Sequence, residues 1–232
     1  MSTGAPEQHP TVALIHATPA AMGPAKAAFA ERFPEATLWN LLDDQLQNQA
    51  SAAGGVTPPL RDRMLTLIRH AIDGGADGVL LTCSMYGATA QDAAPGLPIP
   101  VLAPDEALFA QVAAHRATRI AVLASLPTAV ADTTTRLTAY LTANDQPDAV
   151  VTGTVIPGGA EATAGGNAPG LQDAVVATAR AVAPGTDLIV LANFSLAPTT
   201  AAAAAAVTVP VLSPPQLAAD VLRAQLLPER VA

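Results

Sequence analysis

Cysteine is almost absent from this chain of 232 residues, and the only one is Cys83. A single cysteine excludes an internal disulfide framework and is typical of proteins in a reducing compartment, so a cytoplasmic location is expected. Aromatic residues are also scarce, at 3%, whereas 50% of the residues are hydrophobic. The core is therefore expected to be aliphatic, and the length allows one domain or two.

Basic residues are few as well, since 11 Lys and Arg against 19 Asp and Glu give a formal net charge of −8. Because no basic run is present, neither nucleic acid nor a membrane surface is expected as a partner. Residues 1–10 lack the basic and apolar regions of a signal peptide and are interpreted as a frayed lead-in. The longest run of small residues, 201–206, is too short to cross a bilayer.

A short apolar run that ends at the cysteine is the most informative stretch of the sequence. Residues 79–81 are too few for a free-standing helix and predict a strand buried on both faces. Cys83 lies where this strand should end, and Thr82, Ser84 and Gly87 suit a tight turn into a helix. Ligands bind beyond the carboxyl ends of strands in open α/β sheets, so this turn is a candidate site.

Two interpretations of Cys83 are open at this point. In the first, backbone N–H groups and the positive end of a helix lower the pKa of the thiol, which predicts rapid alkylation. In the second, Cys83 is a small buried hydrophobic residue, as most free cysteines are. Replacing it with serine would then cost stability without a specific loss of turnover.

The two halves of the chain resemble each other at a nearly constant offset. Three stretches return in the same order: 75–77 as 185–187, 99–102 as 209–212, and 12–19 as 120–127. This repeat predicts two similar three-layer αβα domains, 1–115 and 116–232, with mostly parallel sheets related by a pseudo-two-fold axis. The active site is expected in the cleft between them, and the C-terminal helix could intertwine the two lobes.

The pattern of apolar residues and breakers predicts the elements of each lobe. Strands are predicted at 11–15, 37–42, 79–81, 97–102, 119–124, 149–156, 188–192 and 209–212. Helices are predicted at 20–32, 58–73, 128–142, 171–182, 198–206 and 214–227, with a further one opening at 104–106. The Gly- and Ala-rich stretch 157–170 lacks the spacing of a phosphate-binding loop and is interpreted as linker slack or a lid.

The repeat places Asn193 at the position equivalent to Cys83, with the hydroxyl of Ser195 two residues later. A site with a thiol on each lobe could take a proton from one face of a substrate and return it on the other. This chain carries a thiol on one lobe only.

These residues resemble a known family. Asp77 and Cys83-Ser84 around a buried strand, the stretch His-Ala-Thr-Pro at 16–19 and the duplicated halves are similar to the aspartate/glutamate/hydantoin racemase superfamily, which includes maleate isomerases and arylmalonate decarboxylases. The resemblance implies acid/base chemistry, without a cofactor, at the carbon next to the carboxylate of a small-molecule substrate. It also implies a cysteine at each of two strand ends. Cys83 matches the first position, and Asn193 stands at the second. A homo-oligomer is expected.

The resemblance implies an isomerase, a racemase independent of pyridoxal phosphate, with Cys83, Asn193 and Ser195 as catalytic positions. The amide of Asn193 cannot titrate, and Ser195 has no evident base, so the two-base mechanism lacks its second proton carrier. One thiol does suffice to protonate a carbanion after decarboxylation, or to add to a double bond. A single-thiol decarboxylase and a catalytically silent protein that binds a small acid are therefore alternatives.

Six further residues are candidates for substrate binding: His16, Thr18, Asn40, Thr82, Ser84 and Tyr86. Their hydroxyl, amide and imidazole groups could orient a carboxylate, and Tyr86 could form a wall of the pocket. Ser, Thr and Asn more commonly cap helices, and a strand-end histidine can simply bond a loop. Asp43 and Asp44 are interpreted as a solvated cap, and no metal site is predicted.

Overall fold

The computed structural model describes residues 9–227, so most of the predicted lead-in lies outside the described residues. Within this range, eight strands form two separate sheets of four. The first contains β1 (Thr11–His16), β2 (Thr37–Leu42), β3 (Gly78–Leu81) and β4 (Val101–Leu102). The second contains β5 (Arg119–Ala124), β6 (Val150–Val155), β7 (Leu188–Leu191) and β8 (Val211–Leu212).

Helices connect the strands in both lobes. They are α1 (Met22–Arg32), α2 (Gln45–Ala52), α3 (Pro58–Asp73), α4 (Gly87–Ala93), α5 (Glu106–His115), α6 (Pro127–Ala143), α7 (Gly159–Ala164), α8 (Ala168–Val182), α9 (Thr200–Ala206) and α10 (Pro214–Leu226). Short 3-10 helices occupy Pro19–Ala21, Ser84–Tyr86, Ala94–Gly96, Ala183–Gly185 and Phe194–Thr199.

The two sheets have the same topology. The strand orders are β2-β1-β3-β4 and β6-β5-β7-β8, and all neighbouring strands are parallel. The registers also correspond, since Leu14 lies beside Leu80 in the first sheet and Val122 beside Val190 in the second. The prediction of two similar α/β lobes from the sequence repeat is confirmed.

The central strands are buried because helices cover both faces of each sheet. Alternate side chains of a strand point to opposite faces. In the first sheet, Ile15 and Leu81 pack with residues of α2, α3 and α4, whereas Leu14 and Leu80 pack with residues of α1 and α10. The second sheet is covered in the same way by α5 and α6 on one face and by α8 and α9 on the other.

Each lobe is completed by a helix from the other half of the chain. Ala218 and Leu222 of α10, at the C-terminus, belong to the core around Val12 in the first sheet. Phe109 of α5 belongs to the core around Val122 in the second sheet. The boundary near residue 115 stays a prediction, but this exchange shows that the helices at the ends of both halves tie the lobes together.

Two helices were not predicted, and both follow an edge strand. Only Leu46 and Ala50 are buried in the polar helix α2, so its apolar pattern is weak. Helix α7 lies inside the stretch interpreted as linker slack, where Gly158 with φ of +71° precedes an Ala-rich turn. Over residues 9–227, none of the helices combines the length and apolar character needed to span a bilayer.

Candidate active site

The central strands of both sheets end at one cavity of about 620 Å³, which suits a small organic ligand. The first lobe contributes Thr18, Pro19, Ala20, Ala21, Gln47, Asn48, Ser51, Thr82, Cys83, Ser84 and Met85. The second contributes Ser125, Leu126, Ala129, Ala160, Thr163, Ala164, Gly166, Asn193, Phe194 and Ser195. The cavity therefore lies between the lobes, and the two helices that the sequence did not predict form part of its walls.

Six of the nine predicted site residues line this cavity: Thr18, Thr82, Cys83, Ser84, Asn193 and Ser195. Cys83 and Asn193 hold equivalent positions, since each directly precedes a 3-10 helix in extended conformation, with φ of −113° and −106°. Both residues thus line the cavity from corresponding strand ends.

Asn193 links the lobes through its amide. Its Oδ1 accepts a hydrogen bond from the backbone N–H of Ser125 (3.2 Å), and its Nδ2 donates to Ser84 Oγ (3.4 Å). Both polar atoms of the Asn193 amide are therefore hydrogen-bonded. Because an amide does not titrate, Asn193 can orient groups but cannot exchange a proton with a substrate.

Cys83 lines the cavity but is only 8% exposed. Burial raises the pKa of its thiol to about 12, and the charges of Asp132 and Asp105 act in the same direction. The backbone N–H groups of Met85 and Tyr86 act in the opposite direction but are outweighed. The low thiol pKa predicted from the sequence is therefore wrong, while rapid alkylation stays an untested prediction. At neutral pH Cys83 is a protonated thiol, which can donate a proton.

His16 lies behind the cavity and does not line it. Its Nε2 is 3.0 Å from Asn40 Oδ1, to which it donates, and its Nδ1 is 2.8 Å from Thr82 Oγ1. Burial lowers the pKa of His16, while the hydrogen bond to Asn40 acts the other way. With the ring neutral and its proton on Nε2, Nδ1 accepts the hydroxyl proton of Thr82, which is shared with the backbone oxygen of Ile15 at 3.3 Å. His16 and Asn40 therefore orient Thr82, which does line the cavity, instead of contacting a ligand themselves.

Tyr86 is fully buried in the core of the first lobe, and its hydroxyl donates to the backbone oxygen of Leu46 (3.0 Å). It fixes α2 against the segment after Cys83 and is not a wall of the cavity.

Asp43 accepts a hydrogen bond from the backbone N–H of Gln45 (3.2 Å) and pairs with Arg63, in agreement with the predicted cap. No group of three or more acidic, His or Cys residues able to hold a metal ion occurs among residues 9–227.

Two serines that sequence reasoning missed line the cavity. The hydroxyls of Ser51 and Ser125 are buried and have no hydrogen-bond partner among the described residues. A buried hydroxyl without a partner is costly, so each is a candidate to bond a ligand. Ser125 directly follows β5 and corresponds to Ala17, so the repeat could have identified it. Ser51 lies on α2, and no pattern in the sequence marked that helix.

Of the described residues that line the cavity, Cys83 is the only ionisable one. Hydroxyl, amide and backbone N–H groups would therefore have to hold any anion in it. The first turn of α6 contributes to this wall through Leu126 and Ala129, and the exposed N–H groups of a helix start favour an anion.

A buried ionic cluster lies on the second-lobe side of Cys83. Arg136 of α6 pairs with Asp105, which precedes α5, and with Asp132 one turn earlier on α6 (3.0 Å). Asp105 is fully buried, and this burial raises its pKa to about 6, even though Arg136 acts against the shift. The pKa of Asp132 is also raised, again chiefly by burial.

Asp105 is expected to make stability depend on pH. Its pKa in the folded protein lies above its ordinary value of 3.8, so its contribution to the free energy of unfolding is fully present below about pH 4. This contribution is lost as the pH rises through about 6, a change on the order of 1–3 kcal/mol. In Asp105→Asn, the free energy of unfolding measured by urea denaturation should not show that loss between pH 4 and pH 7. The exposed control Asp73→Asn should retain it, and equal pH dependence in both variants would contradict the expectation.

No protein-family model matches the sequence, and no curated protein matches it. Solved structures match over nearly the whole chain. A glutamate racemase from Francisella tularensis, in complex with D-glutamate, has a TM-score of 0.73 at 12% identity, covering 95% of this chain and 81% of that one. An aspartate racemase from Picrophilus torridus has a TM-score of 0.73 at 11% identity, covering 94% of each chain.

An allantoin racemase from Klebsiella pneumoniae has a TM-score of 0.66 at 17% identity, covering 93% of this chain and 86% of that one. At such identities the likeness establishes the fold. The chain has the two-domain α/β fold of these racemases, and the resemblance inferred from the sequence is confirmed at that level.

Proposed function

We propose that this chain, which has the two-domain fold of the racemases, is an enzyme that transfers a proton at the carbon next to a carboxylate or related acyl group, without a cofactor. The observation that carries the proposal is the single thiol of Cys83, facing the same cavity as Asn193 at the equivalent strand end. The neighbours' names, which include glutamate, aspartate and allantoin racemases, support a small carbon acid as substrate.

The protonation state of Cys83 gives the direction of this transfer. Because its thiol pKa is raised, the resting thiol holds its proton at neutral pH. A carbanion or enediolate formed beside it would take that proton: the S–H bond breaks, a C–H bond forms, and the resulting thiolate is reprotonated from water. General acid catalysis of this kind contributes about 10²–10⁴-fold to the rate.

A one-thiol reaction fits the site better than two-base racemisation. Racemisation needs a base on one face of the carbon and an acid on the other, and the amide of Asn193 provides neither. Decarboxylation needs only the acid, since loss of CO₂ leaves the electron pair on the carbon that Cys83 then protonates. We therefore place a decarboxylase ahead of a racemase or an isomerase within this chemistry, because only decarboxylation forms the carbanion without a base or a thiolate.

The hydroxyls of Ser51 and Ser125 are proposed to bind the substrate's carboxylate or carbonyl oxygens. Both residues line the cavity that Cys83 lines, and both hydroxyls are buried without a hydrogen-bond partner among the described residues. The N–H groups at the start of α6 would add to this site, because a helix N-terminus favours an anion.

Deuterium incorporation tests the proposed function. The protein is incubated in D₂O with amino acids, hydantoins and substituted malonates, and label at the α-carbon and release of CO₂ are followed by NMR. One of these classes should acquire deuterium, and Cys83→Ala should prevent it. Tight binding of one acid with no label and no CO₂ would show a silent small-acid-binding protein instead.

Ser125→Ala is expected to raise KM about fivefold, because a hydrogen bond to the substrate worth about 1 kcal/mol is lost. Its stability should be unchanged or slightly higher, since the variant removes a buried hydroxyl that has no partner. Thr178→Val is the matched control: Thr178 has the same 8% exposure, but its hydroxyl donates to Ala174 within α8. A KM equal to that of the wild type in Ser125→Ala would contradict the assignment.

A further inference from the structure

Arg136 of the second lobe reaches into the segment of the first lobe that carries Cys83. Its Nη2 donates to the backbone oxygen of Ser84 (3.3 Å), the residue directly after the thiol. The same oxygen accepts the backbone N–H of Gly87, which closes the turn. The side chain of Arg136 is only 12% exposed, so this contact is buried between the lobes.

Gly87 leaves space for the guanidinium of Arg136 because it has no side chain. A Cβ atom at this position would overlap the Cζ and both terminal nitrogens of Arg136, so any other residue would displace the arginine. On the second-lobe side, Asp105 and Asp132 bond the guanidinium, and its Cζ lies 5.3 Å from the centre of the Phe109 ring. A cation near an aromatic face is attracted to it.

The buried cluster of Arg136, Asp105 and Asp132 is not well explained by a contribution to stability. Arg136 Nη1 and Asp105 Oδ1 are buried and have no hydrogen-bond partner among the described residues. A buried ion pair with unsatisfied atoms commonly costs more in desolvation than it returns in attraction. The cluster does hold the guanidinium of Arg136 in place against the turn after Cys83.

We infer that Arg136 is a positioning residue for Cys83, through which the second lobe holds the turn that aims the first-lobe thiol into the cavity. The inference rests on the proposed role of Cys83 as proton donor. The direction of a short turn sets the distance between the thiol and the reacting carbon, and small errors in such a distance cost rate steeply. The charged groups that face this turn are Arg136, Asp105 and Asp132.

Arg136→Lys and Gly87→Ala test the contact from its two sides. Lysine keeps the charge but lacks the planar fork of donors with which arginine contacts Ser84 and both carboxylates, whereas Gly87→Ala pushes the guanidinium away with no change of charge. Each variant should lower kcat for α-carbon exchange at least about tenfold with little change in KM. Because both break one contact, the double variant should be no worse than the poorer single variant. Arg119→Lys, which alters an exposed ion pair with Asp187, is the control and should leave kcat unchanged.

Alkylation of native Cys83 by iodoacetamide, measured against pH, provides a readout independent of turnover. Arg136→Lys and Gly87→Ala should change the alkylation rate of the folded protein at a fixed pH of about 9 at least about threefold, because the thiol points differently. Asp132→Asn, which keeps the shape, should shift the alkylation profile to lower pH, because it removes a negative charge near the thiol. If Cys83 of the wild-type protein is alkylated but the protein exchanges no substrate, the proposed function is contradicted. The alkylation rates of the variants still test the role of Arg136 in that case. Alkylation profiles identical to the wild type in all three variants, or additive losses of kcat, would overturn the inference.

Discussion

Cys83→Ser and Cys83→Ala are each expected to lower the rate of α-carbon proton transfer about 10²–10⁴-fold while the protein stays folded. Among residues 9–227, Cys83 is the only ionisable residue that lines the cavity, so no other described side chain there can replace it as a proton donor. A serine hydroxyl is too weak an acid to substitute for the thiol. The rate is measured as deuterium incorporation or CO₂ release with the substrate that the exchange survey identifies.

The matched control for these variants is Met85→Leu. Met85 also lines the cavity and is slightly more buried, at 6% exposed against 8%, but it carries no exchangeable proton. This control should keep most of the activity, and circular dichroism should show all three variants folded. Full activity in Cys83→Ala would contradict the assignment. A large loss of stability with unchanged turnover would instead identify Cys83 as an inert core residue.

Asn193→Cys is expected to change the stereochemistry of the reaction. With one thiol, a carbanion is protonated from the face that Cys83 occupies, so a single enantiomer forms. A second thiol at the equivalent strand end can serve the opposite face, and the product should become a mixture of both enantiomers. Chiral chromatography of the product measures this change directly.

The control for this prediction is Asn193→Ser, which also removes the amide bridge between Ser125 and Ser84 but introduces no thiol. It should lower activity without changing which enantiomer forms. A single enantiomer from Asn193→Cys, at a rate well above that of Asn193→Ser, would show that position 193 does not face the reacting carbon.

The fold could be predicted because its determinants are local and repeated. The run 79–81 is apolar without interruption, and its counterpart β7 lies at the same offset as the other matches, so the two sheets followed from the sequence. The crossing of α10 to the first lobe was expected only as one possibility and that of α5 was not expected, since the apolar stripe of a helix does not specify which sheet it covers. Helix α2 was missed because so few of its residues are apolar.

The electrostatics of the site show where local reasoning fails. The turn after Cys83 does offer backbone N–H groups to the thiol, as the sequence predicted. Burial and two carboxylates distant in sequence, Asp105 and Asp132, reverse the expected direction of the pKa shift. The same limit applies to His16, which lies at the predicted strand end but bonds Thr82 and Asn40 behind the cavity.

The central claim is that Cys83 alone delivers a proton, from one side, to the α-carbon of a small carbon acid. The most direct test is the stereochemistry of the deuterated product that the wild-type protein forms in D₂O, analysed by chiral chromatography with mass detection. The account predicts one labelled enantiomer in large excess, and loss of that product in Cys83→Ala. Equal amounts of both labelled enantiomers from the wild type, formed at the enzymatic rate, would contradict it.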